Sequence, residues 1–255
     1  MPKIVRIIML DVLRSRFVLL YALLLAGLSW SVFSIEDNAE KGLLSLLNLV
    51  LLTLPLVSVM YATSYLYNSA EFIELLLGQP VKRTRIWLSL YTGVAGALCL
   101  AFLVGTGIPL LVFAPHATGF MLLACGLLLT LIFVALAMLS GILTRDKARG
   151  IGLSILLWLF FALLFDGLVL FLLFQLSDYP IEKMMIGLSM LNPIALARIL
   201  ILLHLDVSAM MGYTGAIFKD FFGTSAGMAV SFLVLLLWTV VPFWYSLRRF
   251  LRRDL

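Results

Sequence analysis

The chain has 255 residues, of which 64% are hydrophobic and only 12% charged, with a mean hydropathy of +1.16. That leaves too little polar surface to cover a water-soluble domain, so the composition excludes a soluble globular protein and indicates an integral membrane one. A net charge of +5 with pI near 9.4 would suggest nucleic acid for a soluble domain, but here the basic residues flank apolar runs, where they face anionic lipid.

In chain order, Lys3, Arg6, Asp11 and Arg14 share one arc of a helical wheel, with Val5, Ile8 and Val12 opposite. This is the pattern of an interfacial helix over residues 1–16. Six apolar runs follow, over 17–34, 43–66, 86–113, 119–143, 151–175 and 228–247, each near or above the roughly 20 residues a helix needs to cross a bilayer. The first is too long for a signal-peptide core and no A-x-A-like site follows it, so it is expected to remain as a helix.

Basic residues fall in every second gap. Lys3, Arg6, Arg14 and Arg16 precede the first run; Lys82, Arg83 and Arg85 fill the second gap; Arg145, Lys147 and Arg149 fill the fourth; Arg248, Arg249, Arg252 and Arg253 end the chain. Of the 18 Lys and Arg, only Lys41, Lys183, Arg198 and Lys219 lie elsewhere. The positive-inside rule therefore predicts both termini in the cytoplasm. Tyr61, Tyr65, Tyr67, Trp87, Tyr91, Trp244 and Tyr245 stand where an inner aromatic belt belongs.

Residues 67–85 carry the sharpest local signal. Asn68 is positioned to cap the N–H of Glu71, two glutamates favour the positive end of the helix dipole, and Gly78 and Pro80 stop the helix. The result is a short cytoplasmic helix with an acidic start, an apolar Phe72, Ile73, Leu75, Leu76, Leu77 surface and a basic exit. It reads either as a solvated loop or as a docking element pushed by a partner.

Asp166 is the one acidic residue deep within a run, and a carboxylate at such depth must be protonated, paired or reached by water. Its bland reading is an interhelical hydrogen bond, its functional one a place on a substrate or force-transmitting path. The stretch 176–227 holds an apolar segment, 186–205, long enough to score as a seventh crossing. That reading would put the last basic cluster outside and bury Arg198, and Asn192-Pro193 interrupts its helical pattern. An external helical segment on or dipping into the outer leaflet is the expectation.

Cys99 and Cys125 sit inside runs without a C-x-x-C or a His neighbour, and read as small packing residues rather than a disulfide or zinc site. Met184, Met185, Met190, Met210, Met211 and His204 supply soft donors suited to copper, yet no tight cluster gathers them, so no metal site is assigned. His116 reads as a solvated loop residue. There is no G-x-x-x-x-G-K-[ST] motif to cradle ATP, so energy has to come from another polypeptide.

The string Glu74-Leu-Leu-Leu-Gly-Gln-Pro80-Val-Lys-Arg83-Thr-Arg-Ile86 resembles the E-L-L-L-x-x-P-V-x-R-x-x-I element of type-2 ABC exporter permeases. The interfacial helix, six crossings and long external segment before the last crossing are shared with that superfamily. The chain departs from it at Glu71-Phe72, where many members carry Gly-Thr. Leu191-Asn192-Pro193-Ile-Ala-Leu-Ala197-Arg198, with Met211-Gly-Tyr213-Thr-Gly215 and Phe221-Phe-Gly223-Thr-Ser, resembles the NosY family, permeases of the nitrous-oxide-reductase maturation transporter.

What the resemblance implies is an all-α integral membrane permease, present as two copies in a bacterial inner membrane. An ATPase (NosF-like) carrying ATP and Mg would dock at Glu71, Phe72, Glu74, Leu75, Leu76, Leu77, Pro80 and Arg83. A periplasmic copper-handling protein (NosD-like) would be met by Asn192, Pro193 and Arg198. No cofactor is implied on this chain. Export of a lipid, drug or glycan is the alternative within the superfamily. An intramembrane enzyme using Asp166 with Cys99, Cys125 or His204 is the remote one, since those groups fall at different depths.

Overall fold

The computed structural model describes residues 2–36, 38–175, 182–205 and 213–252. Among them it is all helix and turn, with no strand. The helices are α1 (Pro2–Arg14), α2 (Arg16–Ile35), α3 (Ala39–Asn68), α4 (Ala70–Leu77), α5 (Arg83–Phe113), α6 (Ala117–Leu143), α7 (Lys147–Gln175), α8 (Glu182–Met190), α9 (Pro193–His204), α10 (Tyr213–Phe222) and α11 (Ser225–Arg252). Six of these, α2, α3, α5, α6, α7 and α11, are long and apolar enough to cross a membrane. They coincide with the six runs. The segment 186–205 is divided at Leu191-Asn192 between α8 and α9, so neither half can cross.

Helix α6 is the hub. It packs along α3 and α11 and also against α5, α7 and α9, and 67% of its most apolar stretch is buried, against 17% for α7 and 28% for α2 and α11. Lipid is as apolar as leucine, so helices associate in it through close fit and polar contacts rather than through water exclusion. Both devices are present. A Cβ on Gly126 would run into the Phe102 ring, and one on Gly141 into Leu66; these glycines let α5 and α3 approach α6. Thr63 of α3, Ser140 of α6 and Ser154 of α7 form a buried hydroxyl cluster, with Oγ1–Oγ and Oγ–Oγ distances from Ser154 of 2.6 and 2.7 Å.

The described residues of the four basic clusters lie toward one end of the bundle. There Tyr65 donates to Asp11 at 3.1 Å and Tyr61 to Ser15 at 3.1 Å, tying α3 to α1 and to the start of α2. Trp87 donates to Ser246 at 3.1 Å and stacks on Phe250, tying α5 to α11. The expected belt aromatics thus also lock helices together. On α1, Ile8 and Val12 are buried against α5 as the wheel predicts, and Gly93 makes room for Ile8.

Candidate functional site

Helix α4 is separated from α3 by a single residue, Ser69. Asn68 is not its cap: its backbone is the last turn of α3, and its Oδ1 accepts from Lys147 Nζ at 2.7 Å. A cap needs a non-helical backbone at the boundary, and Ser69, which holds that place, makes no side-chain cap bond. The stop is as expected in position, though Gly78 keeps right-handed helical angles. Pro80, which lacks an N–H and disfavours helix in the residue before it, does the breaking.

The apolar residues of α4 divide between its faces. Ile73 and Leu76 are buried, Phe72 and Leu77 half-buried, while Leu75 is 72% exposed beside exposed Glu71 and Glu74. Glu71, Glu74, Leu75, Gly78 and Gln79 line a shallow surface groove. On the inner side, Ile73 and Glu74 line a second groove with Leu66, Trp87, Gly141, Arg145 and Phe250, so this short helix packs on α3 and α5 and faces a space that α6 and α11 also wall. Pro80 and Arg83 are exposed, Arg83 opening α5.

At the other end, α8 and α9 form a hairpin that enters the bundle. Its tip is held by two bonds. Trp238 donates to the Met190 carbonyl at 3.1 Å, and Asn192 donates to the Phe161 carbonyl at 2.8 Å. Trp238 and Phe161 lie at the middle of α11 and α7, so the segment dips well below the surface rather than lying on it. Phe161 is in a π-helical turn, Phe160–Leu164, whose widened register presents its carbonyl sideways. Asn192 also caps α9, its Oδ1 accepting from Ile194 and Ala195 at 2.9 and 3.3 Å. Asn192 and Pro193 are fully buried, so they reach an outside partner only through the hairpin they hold.

Arg198 of α9 pairs with Asp166 of α7, Nη1 to Oδ2 at 2.7 Å, the two side chains 34% and 36% exposed. Of the states open to Asp166, the geometry is the paired one. It is shallower than its place in the apolar run suggests. From Lys147 to Asp166 the helix climbs about 28 Å at roughly 1.5 Å per residue, close to the roughly 30 Å of a hydrocarbon core. The pair therefore lies in the half of α7 away from the basic end.

His204 ends α9 exposed, its carbonyl accepting from Thr118. Met185 is buried and Met190 half-buried; Met210 and Met211, like Asp178 and Arg253, lie outside the described residues, as does the side chain of Met184. Among the described residues no three His, Cys, Asp or Glu form a metal-sized group. Cys99 and Cys125 are free thiols inside spanning helices. Sequence reasoning missed the Thr63, Ser140, Ser154 cluster and the Trp238 bond. Lone hydroxyls and tryptophans in apolar runs were the available signal, but their pairing depends on helix rotation.

Two relatives match most of the chain. The probable ABC transporter permease protein NosY of Pseudomonas aeruginosa is 29% identical over 225 residues, covering 79% of this chain and 81% of its own length. Its namesake in Stutzerimonas stutzeri is 28% identical over 214 residues, covering 74% and 76%. The family model described as ABC-2 family transporter protein matches residues 71–255, from the first turn of α4 through α11. With six spanning helices and that match over most of its length, the chain belongs to the ABC-2 family of transporter proteins, as a multi-pass membrane permease subunit whose ATPase is a separate partner.

Proposed function

We propose that this permease couples ATP hydrolysis to work on the far side of a bacterial inner membrane, with α4 as the element the ATPase grips. The observation that carries the reading is the division of α4: Glu71, Glu74 and Leu75 face outward while Ile73 and Leu76 are anchored in the bundle. An outward contact is then joined through α4 to the ends of α3 and α5, beside a groove that α6 and α11 also wall. Two copies, each carrying one ATPase, would move their α4 helices together when the ATPases close. Glu74→Arg should abolish co-purification of the ATPase and uncouple its ATP turnover. Retention of both in a normally inserted variant sinks the assignment.

The finer reading follows the NosY resemblance: the movement serves copper-site maturation of nitrous oxide reductase, through an outer copper-handling protein, with no metal held by this chain. The α8–α9 hairpin supports it, since its tip is fastened to the middle of α7 and α11 and its other end reaches the far side. Deletion of the gene should leave the copper enzyme immature while other exported products are unaffected. Normal maturation in the deletion, with an ATPase recovered and no outer partner, favours the generic exporter reading instead.

A further inference from the structure

The basic end carries a cavity that neither α4 nor the hairpin uses. Arg145, from the α6–α7 turn, and Arg248, Arg249 and Arg252, from the last turns of α11, converge on a space of about 670 Å³ walled by Ile142, Leu143, Trp244 and Tyr245. Two of the arginines are held in place. The Arg248 guanidinium lies 3.6 Å above the Trp244 ring, and Arg249 donates to the Tyr245 hydroxyl at 3.1 Å. Among the described residues no carboxylate pairs with any of the four. Like charges drawn together with no ion-paired carboxylate among the described residues repel one another, and an anion between them relieves that repulsion.

An apolar track lies along the same helix. Above Trp244 on α11, Leu233, Leu237, Val240 and Val241 recur at one-turn spacing and are each about half exposed. The track leads from mid-helix directly into the arginine cluster. A ligand that fills both parts needs an anionic phosphate at one end and hydrocarbon at the other. Tryptophan and tyrosine at the junction suit the level where headgroup meets acyl chain. The α4 groove lies on another face and carries acid, not base.

We propose that Arg145, Arg248, Arg249 and Arg252 form a binding site for an anionic phospholipid, its headgroup phosphate held by the arginines and its acyl chains lying along Leu233, Leu237, Val240 and Val241. The leaflet is the one on the side of the four basic clusters. Binding there fixes the end of α11 against the α6–α7 turn, next to the groove behind α4, since Arg145 and Ile142 wall both spaces.

The test is lipid binding by the delipidated full-length chain in detergent, read by native mass spectrometry. The probes are dioleoylphosphatidylglycerol, dioleoylphosphatidylcholine and soluble glycerol 3-phosphate. The wild type should retain phosphatidylglycerol in preference to phosphatidylcholine. Arg248→Gln/Arg252→Gln should weaken phosphatidylglycerol about thirtyfold, at roughly a factor of five per lost surface charge, and leave phosphatidylcholine unchanged. Lys3→Gln/Arg6→Gln, which removes the same charge from α1, should bind like wild type. Arg248→Lys/Arg252→Lys, which keeps the charge, guards against misfolding and should recover most of the binding. Equal loss in the α1 variant, or unchanged binding in Arg248→Gln/Arg252→Gln, overturns the site. So does competition by glycerol 3-phosphate as strong as that by the lipid, which would leave the track idle. Loss of the ATPase with lipid binding intact would assign the arginines to a protein contact instead.

Discussion

Asp166 and Arg198, 2.7 Å apart between α7 and α9, show how position sets the worth of a charge. At more than a third exposed, such a pair contributes no more than about 1 kcal/mol, yet removing one partner near the bilayer leaves an uncompensated charge that costs more than the pair is worth. Asp166→Asn and Arg198→Gln should each lower the melting temperature of the purified protein, and the double variant should recover part of the loss. A double-mutant cycle without coupling would show that the pair is not formed. The buried hydroxyls behave differently, having no water to fall back on. Thr63→Val should lose about 1 kcal/mol, in the range of interhelical polar contacts, seen as easier unfolding in denaturing detergent. Val at Thr63 with unchanged unfolding would mean that Ser140 and Ser154 satisfy each other without it.

In the α8–α9 hairpin one side chain makes two distinct polar contacts. Asn192 alone caps α9 and ties the tip to the π-helical turn of α7. Asn192→Ala removes both, at about 1 kcal/mol for the cap and roughly 0.6 kcal/mol for the interhelical bond. A cysteine replacing Ser189, buried near the tip, should then react several-fold faster with a thiol reagent than it does with Asn192 intact; equal rates would mean the hairpin is held without that bond. The spanning helices were legible in sequence because lipid leaves no choice: an apolar run must satisfy its backbone internally, and a helix does so. The break at Asn192-Pro193 was legible for the same local reason, since proline removes a donor. The depth of the hairpin was not, because it rests on Trp238 and Phe161, distant in sequence and apolar in type. Asn68 misled for the opposite reason. Its spacing to Glu71 suited a cap, but α3 continued through it and Lys147 claimed its oxygen.

For the whole molecule, topology joins every functional reading, because α4 and the hairpin are useful to two partners only if they face opposite compartments. An even number of crossings brings α1 and the end of α11 to one end, together with α4 and the α6–α7 turn, and most of the arginines and lysines lie there. Such an excess holds flanks on the cytoplasmic side. Lys219, exposed on α10, belongs to the opposite end, beyond the hairpin. The two native cysteines lie inside spanning helices, out of reach of a charged reagent, so single added cysteines can be read without replacing them. Gln79→Cys should be labelled by a membrane-impermeant maleimide only after the membrane is opened from the cytoplasmic side, and Lys219→Cys should be labelled in intact cells once the outer barrier is permeabilised. Labelling of both from one side would require an even number of crossings between them, which would make the hairpin a true crossing and place the arginines at the end of α11 outside.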